Sequence, residues 1–154
     1  MKAGTFIQST AMLDDSFFEK AVIFITGYDE KGVTGFVINK IFPRRFSDLV
    51  EFRNDCPFPM YEGGPVDTEN LFFLHQRPDL IEGGTPVGHG VYLGGDFRQA
   101  VSHMNSGSVT ENDLRLFIGY CGWDLGQLES EIEEGSWLIL ENGTVFGNFS
   151  QQNI

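Results

Sequence analysis

Residues 21–39 read AVIFITGYDEKGVTGFVIN and carry the strongest structural signal in the chain. Ala21–Thr26 is continuously apolar and rich in β-branched side chains, which is typical of a strand covered on both faces. Asp29–Gly32 has the composition of a turn, and Val33–Asn39 again favours a strand. The stretch therefore predicts a β-hairpin, and we place the other elements around it.

Outside this hairpin, short strands and short helices follow one another without regular βαβ alternation, which favours an α+β domain with a mixed sheet. The sequence contains no linker or low-complexity segment, so we predict a single domain over residues 1–154. Further strands are predicted at Gly4–Ser9, Leu71–His75 and Leu114–Tyr120. Helices are predicted at Phe17–Lys20 (one turn), Asp48–Arg53, Phe97–Asn105 and Leu128–Glu134.

Two glycine-containing patterns indicate where other strands end. Trp137–Leu140 and Thr144–Phe146 flank Asn142-Gly143, a dipeptide that suits a type I′ turn, so this segment predicts a second hairpin. The pattern Tyr-x-Gly-Gly occurs twice, at Tyr61–Gly64 and Tyr92–Gly95. Each copy is expected to end a strand at a point where the backbone needs a positive φ or a close neighbour.

The charge balance argues against direct binding of nucleic acid. Ten Lys and Arg against 22 Asp and Glu give a net charge of −12 and a pI near 4.4. Residues 54–154 carry all of this net charge, and phosphate backbones are bound mainly by cations. The only basic cluster is Lys40–Arg45 with Arg53 nearby, which we interpret as a solvent-exposed loop.

The apolar runs and the cysteines indicate the cellular compartment of the protein and the redox state of its thiols. No apolar run approaches the roughly 18–20 residues of a membrane span, and the first residues do not resemble a signal peptide. Cys56 and Cys121 lie far apart in sequence without a Cys-x-x-Cys motif, so both are expected to be reduced thiols. We therefore expect a soluble, cytoplasmic protein that makes no membrane contact.

The titratable side chains do not form a recognisable metal or cofactor motif. His75, His89 and His103 show no spacing typical of metal ligands, and neither a GxGxxG nor a P-loop pattern is present. Asp96 follows Gly94-Gly95 at a predicted helix start, where it would occupy the anion site itself. We expect no metal and no cofactor.

Cys121 leaves two interpretations open. In Gly119-Tyr120-Cys121-Gly122-Trp123 its small neighbours could expose the sulfur as a nucleophile, which would require a base within reach. Free cysteine is also among the most buried residue types, so a buried thiol at the end of a strand is the alternative.

Four blocks, in this order, resemble the AlgH/YqgE family of bacterial proteins, which are often described as transcriptional regulators. The resemblance spans nearly the whole chain, and the last block is the most specific. The first block is Asp14-Asp15-x-Phe17 with the Ala21–Thr26 strand and Gly35-Phe36-Val37-Ile38-Asn39-Lys40, and the second is Gly63-Gly64-Pro65-Val66 with Leu74-His75. The third is Gly94-Gly95-Asp96, and the last is Gly119-Tyr120-x-Gly122-Trp123-x-x-Gly126-Gln127-Leu128-Glu129-x-Glu131-Ile132 with Gly135-x-Trp137-Leu138.

The resemblance implies an α+β domain with a mixed, bifurcated, partly barrel-like β-sheet flanked by short helices. It implies regulation through an unknown protein or small-molecule partner, because the sequence has no helix-turn-helix pattern. Two departures stand out: the family generally has Ala or Ser where Cys121 stands, and its members continue into a closing helix. Ser150 resembles the cap of that helix, so we expect the single AlgH/YqgE-like domain of residues 1–154 to lack it and to leave an apolar groove.

The residues of these blocks also predict a binding cleft, because glycine pairs and strand-to-helix junctions that share one edge of a sheet can enclose a cleft. The candidates are Asn39, Gly63, Gly64, Pro65, Gly94, Gly95, Asp96, Tyr120, Trp123, Gln127 and Glu129.

Three functional hypotheses follow. The leading one is a non-enzymatic regulatory protein that binds a protein or a small ligand. The alternative is a hydrolase or transferase that uses a cleft around Gly119–Glu129, with Cys121 or a histidine as nucleophile or base. A direct DNA-binding protein is the third, and the charge balance opposes it.

Overall fold

The computed structural model describes residues 1–147. This part of the chain contains two α-helices, α1 (Phe97–Ser106) and α2 (Gln127–Glu133), together with ten strands. The strands are β1 (Phe6–Ser9), β2 (Val22–Asp29), β3 (Gly32–Val37), β4 (Ile41–Arg45), β5 (Pro59–Glu62), β6 (Val66–His75), β7 (Thr85–Gly88), β8 (Val91–Leu93), β9 (Leu114–Trp123) and β10 (Trp137–Leu140).

The predicted hairpin of residues 21–39 is confirmed as β2 and β3. The two strands pair antiparallel from Ile23 opposite Val37 to Asp29 opposite Gly32, with a register shift between Ile25 and Gly27. Residues 21–26 are buried throughout, as their unbroken apolar pattern predicts. The hairpin therefore forms the middle of the sheet rather than an exposed flap.

All ten strands belong to one mixed sheet, whose main path runs β10-β1-β2-β3-β9-β6-β8-β7. One edge of β9 is shared: β5 pairs with it in parallel over Leu116–Ile118, and β3 pairs antiparallel over Cys121–Trp123. The sheet is thus bifurcated at β9. Together with two short helices, this confirms the α+β class.

The sheet curls without closing. Within residues 1–147, β10 and β7 end the strand order and do not pair with each other. The two halves contact each other at Gly4, whose carbonyl oxygen lies 2.8 Å from His89 Nε2. The curled sheet is therefore an open, partly barrel-like layer.

Three hydrophobic clusters cover the two faces of this sheet. Successive side chains of a strand point to opposite faces, so Phe6 and Phe24 pack on one face while Ile7 and Ile23 pack on the other. The first face has one cluster, which reaches from β1 to Val91 of β8. The other face has two clusters, one under α2 and one under α1.

Helix α1 confirms its predicted N-terminal cap. Asp96 accepts a hydrogen bond from the Gln99 N–H at 3.0 Å, and Gly107 follows the last turn in the left-handed region. Ala100 and Met104 are its buried residues. None of the helices in residues 1–147 is long and apolar enough to span a membrane.

Two of the predicted helices are wrong. In place of the predicted helix Asp48–Arg53, the chain forms two 3₁₀ turns, Phe46–Asp48 and Val50–Phe52, separated by the extended residue Leu49. This break allows Phe46 and Phe52 to stack with their ring centroids 4.4 Å apart in the cluster under α1. Residues 17–20 form turns rather than a helical turn.

The predicted second hairpin is also wrong. Strand β10 pairs with β1, with Phe6 opposite Leu140, and residues 141–147 form no strand. These residues instead fold over Phe6, where Gly143 lies against the ring and Val145 is buried in the same cluster. Tertiary burial thus overrides the local Asn-Gly turn signal. The predicted helix cap at Ser150 lies outside the described residues.

Candidate functional site

The candidate site lies beside the point where the chain crosses the central strand, β9. Strand β5 lies on one edge of β9, where Glu62 pairs with Ile118, whereas β6 lies on the other edge, where Val66 pairs with Tyr120. Only Gly63-Gly64-Pro65 connects these two positions, so the chain passes over the face of β9 in three residues.

Glycine is required on both sides of this crossing. A Cβ at Gly64 would overlap the carbonyl group of Tyr120, and a Cβ at Gly119 would overlap the carbonyl oxygen of Gly64. Gly119 also adopts a φ of 72°, which L side chains rarely do. The predicted strand Leu114–Tyr120 continues to Trp123, so Gly119–Trp123 form the second half of β9.

Beside the crossing lies an open groove of about 510 Å³ between the β2–β3 hairpin and the start of α2. The hairpin turn rests on the end of β9, since a Cβ at Gly32 would overlap the Trp123 carbonyl oxygen. Glycines line the groove on both sides, Gly27 and Gly32 from the hairpin and Gly122 from β9. Its lining includes Gly27, Asp29, Lys31, Gly32 and Thr34 from the hairpin, and Tyr120, Gly122, Trp123, Asp124 and Gln127 from β9 and α2.

One carboxylate holds Trp123 and Gln127, which belong to the lining at one end of this groove, in place. Glu131 Oε1 accepts hydrogen bonds from the indole N–H groups of Trp123 at 3.1 Å and Trp137 at 3.0 Å. Its second oxygen accepts one from Gln127 Nε2 at 3.2 Å. Hydrogen bonds to a charged group contribute about 1.5–3 kcal/mol each, so Glu131 fixes two lining side chains.

Glu129 is bound by a tyrosine rather than facing the groove. The Tyr28 hydroxyl donates a short hydrogen bond to Glu129 Oε2. This bond lowers the pKa of Glu129 and raises the pKa of Tyr28. Glu129 therefore ties α2 to the hairpin as a carboxylate.

The predicted cleft residues separate into several places. The groove lining includes Tyr120, Trp123 and Gln127, and the Gly63-Gly64-Pro65 crossing lies beside Tyr120. Asn39 serves another part of the hairpin: its Oδ1 accepts from the Val22 N–H at 2.9 Å, and its Nδ2 donates to the Lys20 carbonyl at 2.9 Å.

Gly94, Gly95 and Asp96 lie at the junction of β8 and α1, outside the groove lining. A Cβ at Gly95 would lie 2.6 Å from the Glu82 carbonyl oxygen, and the Asp96 N–H donates to the same oxygen at 2.7 Å. The glycine pair therefore anchors the loop before β7. The Asp96 carboxylate caps α1, as the sequence predicts.

Sequence reasoning missed the hairpin side of the groove. Asp29 and Gly32 belonged to the predicted turn, Thr34 lay within the second predicted strand, and Gly27 lay between the first predicted strand and the turn. The available signal was Gly27, directly after a strong strand pattern, because glycines in or beside strands often mark bulges or close approaches of the backbone. A Cβ at Gly27 would lie 2.5 Å from Thr34 Oγ1, which is such an approach.

The Cys121 thiol is buried. Its side chain is 1% exposed, and Sγ donates to the Gly63 carbonyl oxygen at 3.3 Å. Burial raises the pKa of Cys121 to about 12. The thiolate needed for nucleophilic attack is therefore disfavoured at neutral pH.

The histidines near the sheet bond to backbone groups. His75 is fully buried between the rings of Phe73 and Tyr92; its Nε2 lies 3.0 Å from the Gly94 carbonyl oxygen, and its Nδ1 accepts from the Arg77 N–H. These two bonds fit a neutral ring with the proton on Nε2, and burial lowers the pKa of His75. Among residues 1–147, no three His, Cys, Asp or Glu side chains are grouped as metal ligands would be.

Comparison with known proteins identifies relatives over most of the chain. The AlgH-like family model matches residues 6–152. A UPF0301 protein of Chlorobium phaeobacteroides is 36% identical over 141 residues, which cover 92% of this chain and 75% of that protein. A UPF0301 protein of Bacteroides thetaiotaomicron is 36% identical over 137 residues, covering 88% of this chain and 69% of the relative.

Two solved structures share the fold. The AlgH protein of Pseudomonas aeruginosa superposes with a TM-score of 0.72 at 23% identity, over 92% of this chain and 77% of that one. A protein of Corynebacterium diphtheriae superposes with a TM-score of 0.73 at 18% identity, over 93% and 77% of the two chains. The resemblance found in the sequence blocks is thus confirmed, and the chain belongs to the AlgH-like family.

Proposed function

We propose that this protein is a cytoplasmic regulatory protein that binds a small molecule in the groove between the β2–β3 hairpin and α2, without catalysis and without direct DNA contact. The observation that carries the proposal is a groove of ligand-binding size whose aromatic and amide lining is fixed in advance by Glu131. A preformed wall lowers the entropy lost on binding.

The lining suggests the ligand's chemistry. Tyr120 offers flat apolar surface, while Asp29 and Asp124 place two carboxylates against the single cation of Lys31. We expect a molecule with a flat apolar part and a cationic amino group.

The alternative of a hydrolase or transferase has little support from the side chains present. Cys121 is buried with a raised pKa, and its sulfur is bonded to a carbonyl oxygen rather than to a base. His75 is fully buried, and His89 Nε2 lies within hydrogen-bond distance of the Gly4 carbonyl. Nucleophilic catalysis needs a nucleophile and a base within reach of each other.

Direct DNA binding is disfavoured by how the basic cluster is used. Lys40 Nζ donates to the Phe17 carbonyl, Arg44 Nη2 to the Asp48 carbonyl at 2.9 Å, and Arg45 Nη1 to the Pro57 carbonyl at 2.8 Å. These cations stabilise their own loops, and the net charge of −12 repels a phosphate backbone.

Tryptamine is a suitable probe, because it joins a flat ring to an amine. At about 0.3 kcal/mol per non-hydrogen atom, a Kd on the order of 1 mM is expected, measured by amide chemical-shift changes. The shifts should centre on residues 120–127 and 27–34. Indole-3-acetate, a matched anion, should bind at least about fivefold more weakly, since one pair of charges near a surface is worth about 1 kcal/mol.

Gly122 offers a matched pair of variants. A Cβ there would have its nearest neighbour, Tyr120 Cε2, at 3.7 Å, so Gly122→Ala fits, whereas Gly122→Leu fills the groove. We expect Gly122→Ala to bind tryptamine and Gly122→Leu to lose it. Equal binding by both variants, no binding by the natural chain, or retention of duplex DNA at low salt would each contradict the proposal.

A further inference from the structure

The two ends of the main strand path are built differently. Strand β7 ends one side, and it contains Pro86 and finishes at Gly88, which adopts a φ of 101°. Proline and bends are common protections of an edge strand, because they prevent another strand from pairing. Strand β10 ends the other side and reads Trp-Leu-Ile-Leu, without proline, glycine or charge.

The register shows which backbone groups of β10 face outward. The Thr10 N–H donates to the Ser136 carbonyl oxygen at 3.0 Å, just before β10 begins. Groups in an antiparallel ladder alternate in direction, so Leu138 and Leu140, opposite Gln8 and Phe6, also point toward β1. The N–H and C=O groups of Trp137 and Ile139 therefore point away from the sheet, where no strand of residues 1–147 pairs with them.

The side chains of β10 present apolar surface on both faces of this edge. Leu138 is 54% exposed and Ile139 is 53% exposed, although they point to opposite faces. Trp137, by contrast, is buried and bonded to Glu131, which holds the strand in place. An added strand would find a fixed backbone template with one apolar contact on each face.

The charges around β10 favour a basic binding partner. Glu133 and Glu134 precede the strand and Glu141 follows it, and all three are exposed. Asp14 and Lys20 share a hollow of about 320 Å³ with Leu138 and so add no net charge. A second copy of this chain would bring the same acidic groups together, whereas a basic segment would meet opposite charges.

We propose that β10 binds an extended segment of a partner protein, alternating apolar and basic residues, as an added strand of the sheet. Main-chain hydrogen bonds to Trp137 and Ile139 would supply affinity, and the flanking glutamates would supply the preference for basic residues. This surface is separate from the groove and does not depend on the proposed ligand.

The first test uses the full chain and the peptide acetyl-Lys-Val-Lys-Val-Lys-Val-Lys-amide. In the free protein, the amide protons of Trp137 and Ile139 should exchange at least about tenfold faster than those of Leu138 and Leu140. The peptide should slow the exchange of Trp137 and Ile139. Slow exchange of these two amides in the free chain, or slowing that depends only on protein concentration, would overturn the proposal, since the edge would then be covered by the chain itself or by a second copy.

Two variants separate backbone pairing from side-chain effects. Ile139→Pro removes an outward N–H and leaves the ladder to β1 intact, whereas Ile139→Thr keeps that N–H. We expect Ile139→Pro to weaken peptide binding at least about tenfold and Ile139→Thr to stay within about threefold, with native tryptophan fluorescence in both. Equal affinity of the two variants would overturn the proposal.

Charge selection is tested independently of these backbone variants. The triple variant Glu133→Gln, Glu134→Gln, Glu141→Gln keeps the strand unchanged and should bind the lysine peptide at least about fivefold more weakly at low salt. The same peptide with glutamate in place of lysine should not bind the natural chain. Binding of both peptides with equal affinity would overturn the proposed partner chemistry.

Discussion

The two Tyr-x-Gly-Gly segments share a sequence pattern, but their glycines have different structural roles. In Tyr61–Gly64 the glycines carry the chain across β9, where the backbones of two strands nearly touch. In Tyr92–Gly95 they form a junction between β8 and α1, where a Cβ added at Gly94 would have no neighbour within 4 Å. The first pair is required mainly by crowding, and Gly94 by its φ of 70°.

This difference shows that two independent physical causes can each require glycine at a position. A crowded glycine excludes any side chain, because the obstacle is another backbone that cannot move without breaking the sheet. A glycine with a positive φ and open surroundings excludes side chains only through backbone strain, which Asn tolerates better than Ala. Substitutions can therefore separate the two segments.

Gly64→Ala should have the largest effect. Its Cβ would overlap the carbonyl carbon and oxygen of Tyr120 and lie 2.6 Å from the Cys121 nitrogen. We expect a loss of about 4 kcal/mol in the free energy of unfolding, or a Tm about 10 °C lower, measured by urea and thermal denaturation. Gly122→Ala on the same strand is the control and should stay within about 0.5 kcal/mol. Equal stability of the two variants would show that the crossing is not tight.

Gly63→Ala should have the next largest effect. The added carbon would lie 2.5 Å from the Gly119 carbonyl oxygen and 3.0 Å from Phe117 Cβ. It would also disturb the Gly63 carbonyl oxygen, which accepts from the Val37 N–H at 2.8 Å and from Cys121 Sγ. We expect about 3 kcal/mol of destabilisation in urea unfolding. Gly63→Asn should be worse than Gly63→Ala, and the reverse order would point to φ instead of crowding.

The second segment should make stability sensitive to acid through His75. Burial lowers the pKa of His75, so the unfolded chain binds a proton more readily than the folded one. Stability should therefore fall as the pH drops below the unfolded pKa of about 6.5, by at most about 1.4 kcal/mol per pH unit.

His75→Gln isolates this contribution, because glutamine keeps a donor for the Gly94 carbonyl but does not titrate. Urea unfolding between about pH 7.5 and 5.5 should show a smaller loss of stability in His75→Gln than in the natural chain. Parallel pH profiles for the two proteins would mean that the charged form of His75 is accommodated in the fold.

The sequence predicts those parts of the fold that depend on residues close together in the chain. The hairpin over residues 21–39 follows from an apolar run and a turn, and α1 follows from Asp96 and Gly107 at its ends. The pairing of β10 with β1 joins Leu140 to Phe6 across most of the chain, and a local Asn-Gly signal predicts a different partner. Pairing between distant strands depends on what each face buries, which periodicity alone does not specify.

The candidate site shows the same contrast between features that depend on nearby residues and features that depend on distant ones. Tyr120, Trp123 and Gln127 belong to one continuous block of sequence, and the structure places them in one groove. Grouping Asn39 and Gly94–Asp96 with them assumed that every strand end meets at one edge, which a bifurcated, curled sheet does not provide. The hairpin side of the groove was missed because the hairpin meets β9 only through tertiary structure, as the close approach of Gly32 to the Trp123 carbonyl oxygen shows.

Gly94 gives the smallest and most discriminating effect. Gly94→Ala has open space, so only the positive φ opposes it, and we expect a loss of about 1 kcal/mol in urea unfolding. Gly94→Asn should lose only about 0.5 kcal/mol, because asparagine adopts the left-handed region more readily. At Gly63 the larger residue should be the more harmful one, so the order of Ala and Asn reverses between the two segments. The same order at both positions would mean that one physical cause, rather than two, fixes glycine in this repeated pattern.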